Sequence, residues 1–381
     1  MPRSIYFDYN ATTPLDPAVR ADMMPFFDEI WGNPSSIHHV GRKARALLDD
    51  ARDRAARVLN AKPSELIFTS GGTEANNLAI LGTARSLKAK GRHLITTSVE
   101  HHAILQSFDY LEKNEGFSIT RLPVDVEGRI KIADLMAALQ PETVLVSVMA
   151  ANNEIGTLQP VSEVGAICQE RNIIFHTDAV QWFGKEPFNQ IQQFNADLVS
   201  ICGHKFHGPK GAGLLYIKSP LHPDPIILGG AHEQERRAGT ENLPAIIGLV
   251  SALERFLQPP VFEGDRLRLL TDQLKGTIQA IDGCNLVSPS KGCLINTVSF
   301  TVHGADGIGL LAGLDMEGIC ASSGSACSAG SLEPSHVIVA LGKPNDANSL
   351  IRFSLGRDST PAEVEFVCSA LPKIIRRAQA C

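Results

Sequence analysis

Ile174-Phe175-His176-Thr177-Asp178-Ala179-Val180-Gln181 is a short β-rich run with an aspartate at its carboxyl end. Runs of the same texture recur at 65–69, 93–97, 118–122, 143–148, 173–176, 198–201 and 213–217. Amphipathic stretches at 73–89, 101–115, 131–139 and 161–171 separate most of them. A further helical pattern covers 36–58, with Ser35 or Ser36 as its N-cap. Alternation on this scale predicts an α/β fold with a mainly parallel sheet between helices. Ligands of such sheets gather at the carboxyl ends of the strands, which is where Asp178 falls. From about residue 261 the texture changes. Helical stretches at 263–281 and 361–377 flank antiparallel-looking strands at 297–302 and 350–354, which predicts a smaller α+β domain. Gln258-Pro259-Pro260 reads as the hinge between the two.

Composition narrows the function classes. With 44% apolar and 20% charged residues over 381 positions, the chain has a core and is not disordered. Its 35 basic and 41 acidic side chains give a net charge of −6, so there is no basic footprint for nucleic acid. No apolar run reaches membrane-span length, and the start Met1-Pro2-Arg3-Ser4-Ile5-Tyr6-Phe7-Asp8 carries no apolar leader. Eight cysteines in a chain of this length, with no Cys-x-x-Cys pair, predict neither a disulfide framework nor a structural metal site. These features place the protein in the reducing cytoplasm. Asn10-Ala11-Thr12 has the form of a glycosylation sequon, which carries little weight without a secretion signal.

Four stretches have residue types suited to chemistry. Ser70-Gly71-Gly72-Thr73-Glu74 lies between a strand and a helix. Its glycines let backbone N–H groups approach an anion at the helix N-terminus. The same residues also read as a tight turn with Thr73 capping the helix, and they match neither dinucleotide nor P-loop patterns. Asp178 suits a protonated heterocyclic nitrogen, or the cap of a following helix. In Cys202-Gly203-His204-Lys205-Phe206-His207-Gly208-Pro209-Lys210-Gly211, Lys205 just past a buried strand suits a lysine that bonds covalently to an aldehyde, whereas Lys210 reads as a surface lysine. A glycine turn, an aspartate and a lysine in this order, each at a strand end, fit pyridoxal phosphate better than a nucleotide. The fourth stretch, Ala321-Ser322-Ser323-Gly324-Ser325-Ala326-Cys327-Ser328-Ala329-Gly330-Ser331, is nearly all small residues and predicts a mobile loop that presents the Cys327 thiol. Arg352, within Ile351-Arg352-Phe353-Ser354-Leu355-Gly356, reads as a carboxylate clamp or an edge-strand charge. Arg236-Arg237-Ala238-Gly239-Thr240-Glu241-Asn242 suits an anion or a second subunit.

Taken together the motifs resemble the cysteine desulfurases of the class V aminotransferase family, in the branch with the long catalytic loop. The likeness runs nearly end to end. It rests on Asp8-Tyr9-Asn10-Ala11-Thr12-Thr13, Gly32-Asn33-Pro34-Ser35-Ser36, the segment from Thr69 to Asn77, and Glu100-His101. It continues through Asn152-Asn153-Glu154-Ile155-Gly156, Asp178 with Gln181, His204-Lys205, Arg237 to Asn242, Ser322 to Cys327, and Arg352 to Gly356. The resemblance implies a fold-type I pyridoxal-phosphate enzyme with a large domain at 14–257. Residues 1–13 and 258–381 would form the small domain, carrying a catalytic loop at about 321–333.

It also implies roles. Lys205 would hold pyridoxal phosphate, Asp178 would pair with its ring nitrogen and His101 would stack on its face. Gln181 and Asn153 would lie near the ring oxygen and substrate. Gly72, Thr73, His204 and the residue at Cys202 would bind the phosphate, with Thr240 reaching in from the other subunit of a homodimer. Arg352 and Asn33 would hold the carboxylate of L-cysteine, and Cys327 would take its sulfur as a persulfide. The implied partner is a sulfur-acceptor protein, such as an iron–sulfur cluster scaffold or a sulfurtransferase. The family usually has serine where this chain has Cys202, and a thiol is the weaker hydrogen-bond donor, so looser cofactor retention is expected. Ala231-His232-Glu233-Gln234-Glu235 departs from the usual glycine- and glutamine-rich segment. Selenocysteine lyase, another pyridoxal-phosphate lyase or aminotransferase, and a non-enzymatic scaffold are the alternatives. Cys327 speaks against a thiol-independent enzyme, and intact Lys205, Asp178, His101 and Cys327 speak against a scaffold.

Overall fold

The computed structural model describes residues 4–262, 264–324 and 334–379. Its strands are β1 (Ile5–Tyr6), β2 (Leu66–Thr69), β3 (His93–Thr97), β4 (Ser118–Leu122), β5 (Thr143–Ser147), β6 (Ile174–Asp178), β7 (Leu198–Cys202), β8 (Gly213–Ile217), β9 (Cys284–Leu286), β10 (Thr297–Val302), β11 (Ile319–Cys320) and β12 (Ile351–Ser354). The large sheet has the order β2-β8-β7-β6-β5-β3-β4. Its pairs are parallel from β7 to β4, whereas β8 runs antiparallel to both β7 and β2. Strands β2 to β7 therefore all point one way, and their carboxyl ends share one edge.

Alternate residues of these strands enter opposite cores. Leu66, Phe68, Val199, Ile201, Leu214 and Tyr216 join the core shared with the helices His39–Leu59 and Leu243–Phe256. Ile67, Leu198, Leu215 and Ile217 pack on the other face against Ala75, Leu78 and Ala79. With both faces covered, a one-residue slip would exchange the two sets, so the register is tightly specified. The 73–89 pattern forms one helical run from Gly72 to Leu87, widened into a π-turn over Leu78–Gly82. Gly82 is required there because a Cβ would stand 2.5 Å from the Asp224 carbonyl oxygen. The helix expected at 36–58 starts later, at His39, and its N-cap is His38, whose Nδ1 accepts from Gly41 N–H. Ser35 and Ser36 are instead taken up in a turn closed by Asn33.

The second sheet, β12-β10-β9, is antiparallel. It packs with the helices Gly264–Gln279, Gly307–Met316 and Pro361–Gln379 around a separate core that includes Ile5, Phe7 and Tyr9. The start of the chain is held there by β1 on β11 and by an Asp8–Ser354 bridge. It then crosses to the large sheet, where Thr13 N–H and Oγ1 both donate to the His204 carbonyl. Asn10 at this crossing is 1% exposed, which excludes it as a glycosylation acceptor.

Candidate active site

The shared carboxyl edge of the large sheet opens into a cavity of about 160 Å³. It is lined by residues that follow β2 (Gly72, Thr73, Asn76), β3 (His101), β5 (Met149, Ala151, Asn153), β6 (Asp178, Val180, Gln181) and β7 (Cys202, His204, Lys205). Asn10 and Ala11 come from the crossing segment, and Arg352 from β12. Gly72, Thr73, His101, Asn153, Asp178, Gln181, Cys202, His204, Lys205 and Arg352 thus meet at one place. Asn33 and Thr240 do not line it. Asn33 is exposed, with Oδ1 accepting from Ser35 N–H, and Thr240 is exposed beside Glu233 and Arg237. Cys327 lies outside the described residues.

Asp178 closes β6, buried. Its Oδ1 accepts from Val180 N–H at 3.0 Å and its Oδ2 from Asn76 Nδ2 at 2.7 Å. It caps the turn that follows β6, not a helix. Burial pushes the carboxyl up, while Val180, Asn76 and Lys205 pull it back. Each oxygen carries one donor, which leaves lone pairs for a cationic N–H in the cavity. Behind it, His176 is a satisfied core histidine, held between Ser147 Oγ and Ser200 Oγ at 2.8 and 3.0 Å.

Lys205 ends the short 3₁₀ turn that follows β7. Its Nζ donates to the Asn10 and Ala11 carbonyls at 2.7 and 2.9 Å. His204 beside it has Nδ1 3.1 Å from Thr12 Oγ1, and burial with the adjacent Lys205 pushes its imidazole down to about 3. Lys210 is exposed. Cys202 is buried, its thiol pushed up by burial. A Cβ on Gly72 would meet Val180 Cγ2 at 2.9 Å and Cys202 Cβ at 3.5 Å, so the glycine leaves its backbone open beside that thiol. The helical run begins here with Gly71 as its N-cap, and Thr73 makes no cap bond.

His101 caps the helix His102–Glu115, with Nδ1 accepting from Ala103 N–H at 3.1 Å. Burial, reinforced by Lys205, lowers its imidazole to about 4, so it is neutral near pH 7. An accepting Nδ1 leaves the proton on Nε2. Glu100, the preceding residue, is fully buried and raised by burial to about 8. Its Oε1 accepts from Thr97 Oγ1 and Met149 N–H, which fixes the turn that carries His101.

Arg352 is 1% exposed, so the strand-borne arginine faces inward. Nη2 pairs with Asp8 Oδ1 at 2.8 Å, and Nη1 donates to the Asn153 and Gly324 carbonyls, each at 2.8 Å. Nε has no partner among the described residues, and neither has Asn76 Oδ1. Both belong to residues of the cavity wall, and unpartnered buried polar atoms there are consistent with a polar occupant. The varied segment at 231–235 also resolves. Glu233 is buried, its Oε1 2.6 Å from Arg52 Nη2 and its Oε2 accepting from Phe68 N–H. Arg237, read as an anion or subunit contact, pairs with Glu74 of the same chain at 2.8 Å.

Sequence reasoning missed Asn76 as the partner of Asp178, Asp8 as the partner of Arg352, and Asn10 as the hub of the crossing. It missed Lys185 as well. Its one signal was a spacing of four residues from Gln181.

The residues present fit pyridoxal phosphate. A lysine amine, a buried carboxylate and a neutral imidazole converge on the cavity, whose wall also has open backbone at Gly72 beside Cys202. Lys205 would bind the aldehyde, Asp178 the ring nitrogen, and Gly72, Thr73 and His204 the phosphate. Cys202→Ser should tighten cofactor binding several-fold, up to about tenfold for one better hydrogen bond. Absorbance titration of the apoenzyme checks this, and an unchanged Kd would remove Cys202 from the phosphate site.

Comparison with known proteins agrees with this geometry. The aminotransferase class-V model matches residues 5–367. A protein named cysteine desulfurase IscS from Clostridium botulinum is 45% identical over 381 residues, covering 99% of this chain and 96% of that one. Its namesake from Dictyoglomus turgidum is 46% identical over 379 residues, with the same coverage. Among solved structures, a NifS-like protein superposes with a TM-score of 0.91 at 35% identity, over 98% of this chain and 100% of that one. A structure titled SspA in complex with cysteine gives 0.81 at 34%, over 94% and 100%. Fold and site define a fold-type I pyridoxal-phosphate enzyme. The chain belongs to the class V aminotransferase family.

Proposed function

We propose that this protein is a pyridoxal-phosphate-dependent cysteine desulfurase. It converts L-cysteine to L-alanine and passes the sulfur, as a persulfide on Cys327, to an acceptor protein. The observation that carries the reading is the convergence of Lys205, Asp178, His101 and Arg352 on one cavity, in a chain 45% identical to a protein named cysteine desulfurase.

Bound pyridoxal phosphate supplies an electron sink conjugated to the substrate's Cα. The chain's own residues do the rest. Asp178, held by Asn76 and Val180, keeps a proton on the ring nitrogen. Neutral His101 covers the ring face without adding charge and keeps water from it. Lys205 would hold the cofactor's aldehyde through Nζ and would move a proton at the substrate's Cα. Gln181 and Asn153 donate near the ring oxygen and substrate.

Arg352 receives the substrate carboxylate; Asn33, exposed and outside this chain's cavity, is not placed to join it. For Arg352 this means sharing or displacing Asp8, since a buried guanidinium is costly without a partner. The Cys327 thiolate attacks the substrate sulfur. A bond forms between the two sulfurs, the Cβ–S bond breaks, and the electron pair left on Cβ takes the proton that completes alanine.

The second unit, residues 1–13 with 258–381, supplies Asn10, Ala11, Arg352 and Cys327 to a site otherwise built by 14–257. The packing of Ile5, Phe7 and Tyr9 with the C-terminal core supports that division. Thr240, exposed and away from this chain's cavity, supports a homodimer in which it reaches a second copy's phosphate. No helix among the described residues is long and apolar enough to cross a membrane. We place the enzyme in the cytoplasm, with a cluster scaffold or sulfurtransferase as its acceptor.

The test is product analysis. With L-cysteine and a thiol reductant, the cofactor-loaded protein should release alanine and sulfide in equal amounts. Pyruvate and ammonia in place of alanine, or no turnover despite bound cofactor, would overturn the reading.

A further inference from the structure

Lysines are seldom enclosed unless paired, because removing the charge from water is costly. Lys185, on the turn after β6, is 3% exposed, and no carboxylate pairs with it among the described residues. Its Nζ donates to Gln181 Oε1 and, at 2.7 Å, to Asn10 Oδ1. The Phe262 ring lies 5.5 Å away. Burial, with Lys205 and Arg352 nearby, holds its pKa well below the usual lysine value. Both bonds survive either protonation state, since a neutral amine still has two N–H donors for two amide oxygens.

As an ammonium Lys185 offers Gln181 only donors, and the observed bond from Nζ to Oε1 sets the amide oxygen toward Nζ and the NH₂ away from it. One of its two N–H groups donates to the Asn10 carbonyl at 2.9 Å, the carbonyl that also accepts from Lys205. The other remains for the cavity, which Gln181 lines. Without Lys185 the amide keeps only its bond to the Asn10 carbonyl and loses the contact that fixes Oε1, so it turns over more readily. Its carbonyl oxygen would then face whatever anion the cavity holds, and a donor would become a repulsive acceptor.

We propose that Lys185 is a positioning residue: by holding Gln181 Oε1 it keeps the Gln181 N–H turned toward the anionic ring oxygen of bound pyridoxal phosphate. The inference rests on the reading of the cavity as a pyridoxal-phosphate site. A donor on that oxygen stabilises the form of the bound cofactor that has lost its titrating proton. It therefore keeps the pH midpoint of the cofactor's absorbance change low.

The experiment is a spectrophotometric pH titration of the loaded parent, K185M, Q181A and the K185M/Q181A double variant. K185M keeps the aliphatic stem against Phe262 and removes both donors. Should it not fold, K185A takes its place in both backgrounds. The midpoint should rise by about one pH unit in the Lys185 variant, a tenfold change in the proton equilibrium. It should rise similarly in Q181A, and no further in the double variant. A merely structural lysine would lower Tm and leave the midpoint in place, or would shift it equally in both backgrounds, and either result overturns the proposal. If the parent itself takes up no pyridoxal phosphate, the reading of the cavity has failed, which is a separate outcome from loaded variants whose midpoints do not move.

Discussion

Lys205→Ala should lose turnover of L-cysteine by a factor on the order of 10⁴ or more while keeping its fold. The factor is that large because one nitrogen has two tasks. In the proposed mechanism Nζ would bond the cofactor's aldehyde as anchor and would move a proton at Cα as carrier. Removal of a positioned acid or base alone costs about 10²–10⁴, and removal of a covalent catalytic group costs more. Lys205 reaches the cavity from the Gly203–Lys205 turn, and its Nζ is held by carbonyls of the crossing segment, 195 and 194 residues away. Alanine removes that pair of bonds to the crossing segment without opening either hydrophobic core, so Tm should fall little. Borohydride treatment followed by intact-mass analysis separates the tasks. The parent should retain covalently attached cofactor and the variant none, even where the variant still binds it reversibly. A variant that keeps attached cofactor would move the anchoring role to another amine, and Lys185 is the first to test.

Much of this site was legible because strand ends concentrate it. Asp178, Lys205, His101 and Gly72 each follow a recognisable strand, and a parallel sheet brings carboxyl ends to one edge whatever the loops do. The partners that tune these residues were not legible, because their contacts are remote in sequence. Asp8 meets Arg352 across 344 positions, Asn76 meets Asp178 across 102, and Asn10 meets Lys185 across 175. The local sequence gives Lys185 little beyond its spacing from Gln181; its burial comes with remote residues, Asn10 and Phe262, that close around Nζ. The antiparallel direction of β8 was equally hidden. Its apolar pattern is that of its neighbours, and only the glycine-rich turn before it reverses the chain. The N-cap at His38 replaced the expected serines because Asn33 had already engaged their backbone N–H groups.

Cys327→Ala should reduce sulfide release from L-cysteine by a factor on the order of a thousand or more, the scale on which loss of a catalytic nucleophile acts. Cofactor uptake should be unchanged, and added L-cysteine should still perturb the cofactor's absorbance, because Lys205, Asp178, His101 and Arg352 remain. The described residues on the N-terminal side of Cys327 are fastened to the cavity wall through Arg352. Ser322 exchanges two backbone hydrogen bonds with Arg352, and the Gly324 carbonyl accepts from Arg352 Nη1 at 2.8 Å. On the far side Ser335 Oγ donates to Glu154 Oε2 at 2.5 Å. The described residues that flank Cys327 thus end beside Arg352 at Gly324 and beside Glu154 at Ser335. Only a sulfur nucleophile can take sulfur from carbon in one displacement and then surrender it to a second thiol, so neither serine nor alanine should replace it. Mass analysis after a single turnover without reductant should find one added sulfur on the parent and none on the variant. Full activity in Cys327→Ala, with sulfide still released, would instead make the enzyme a lyase that needs no thiol of its own. Cys320, the nearest other cysteine in sequence among the described residues, lies in β11 against β1, where burial raises its thiol and pairing fixes its backbone. It does not line the cavity and its thiol is held protonated by burial, so residual persulfide in the variant should not map to it.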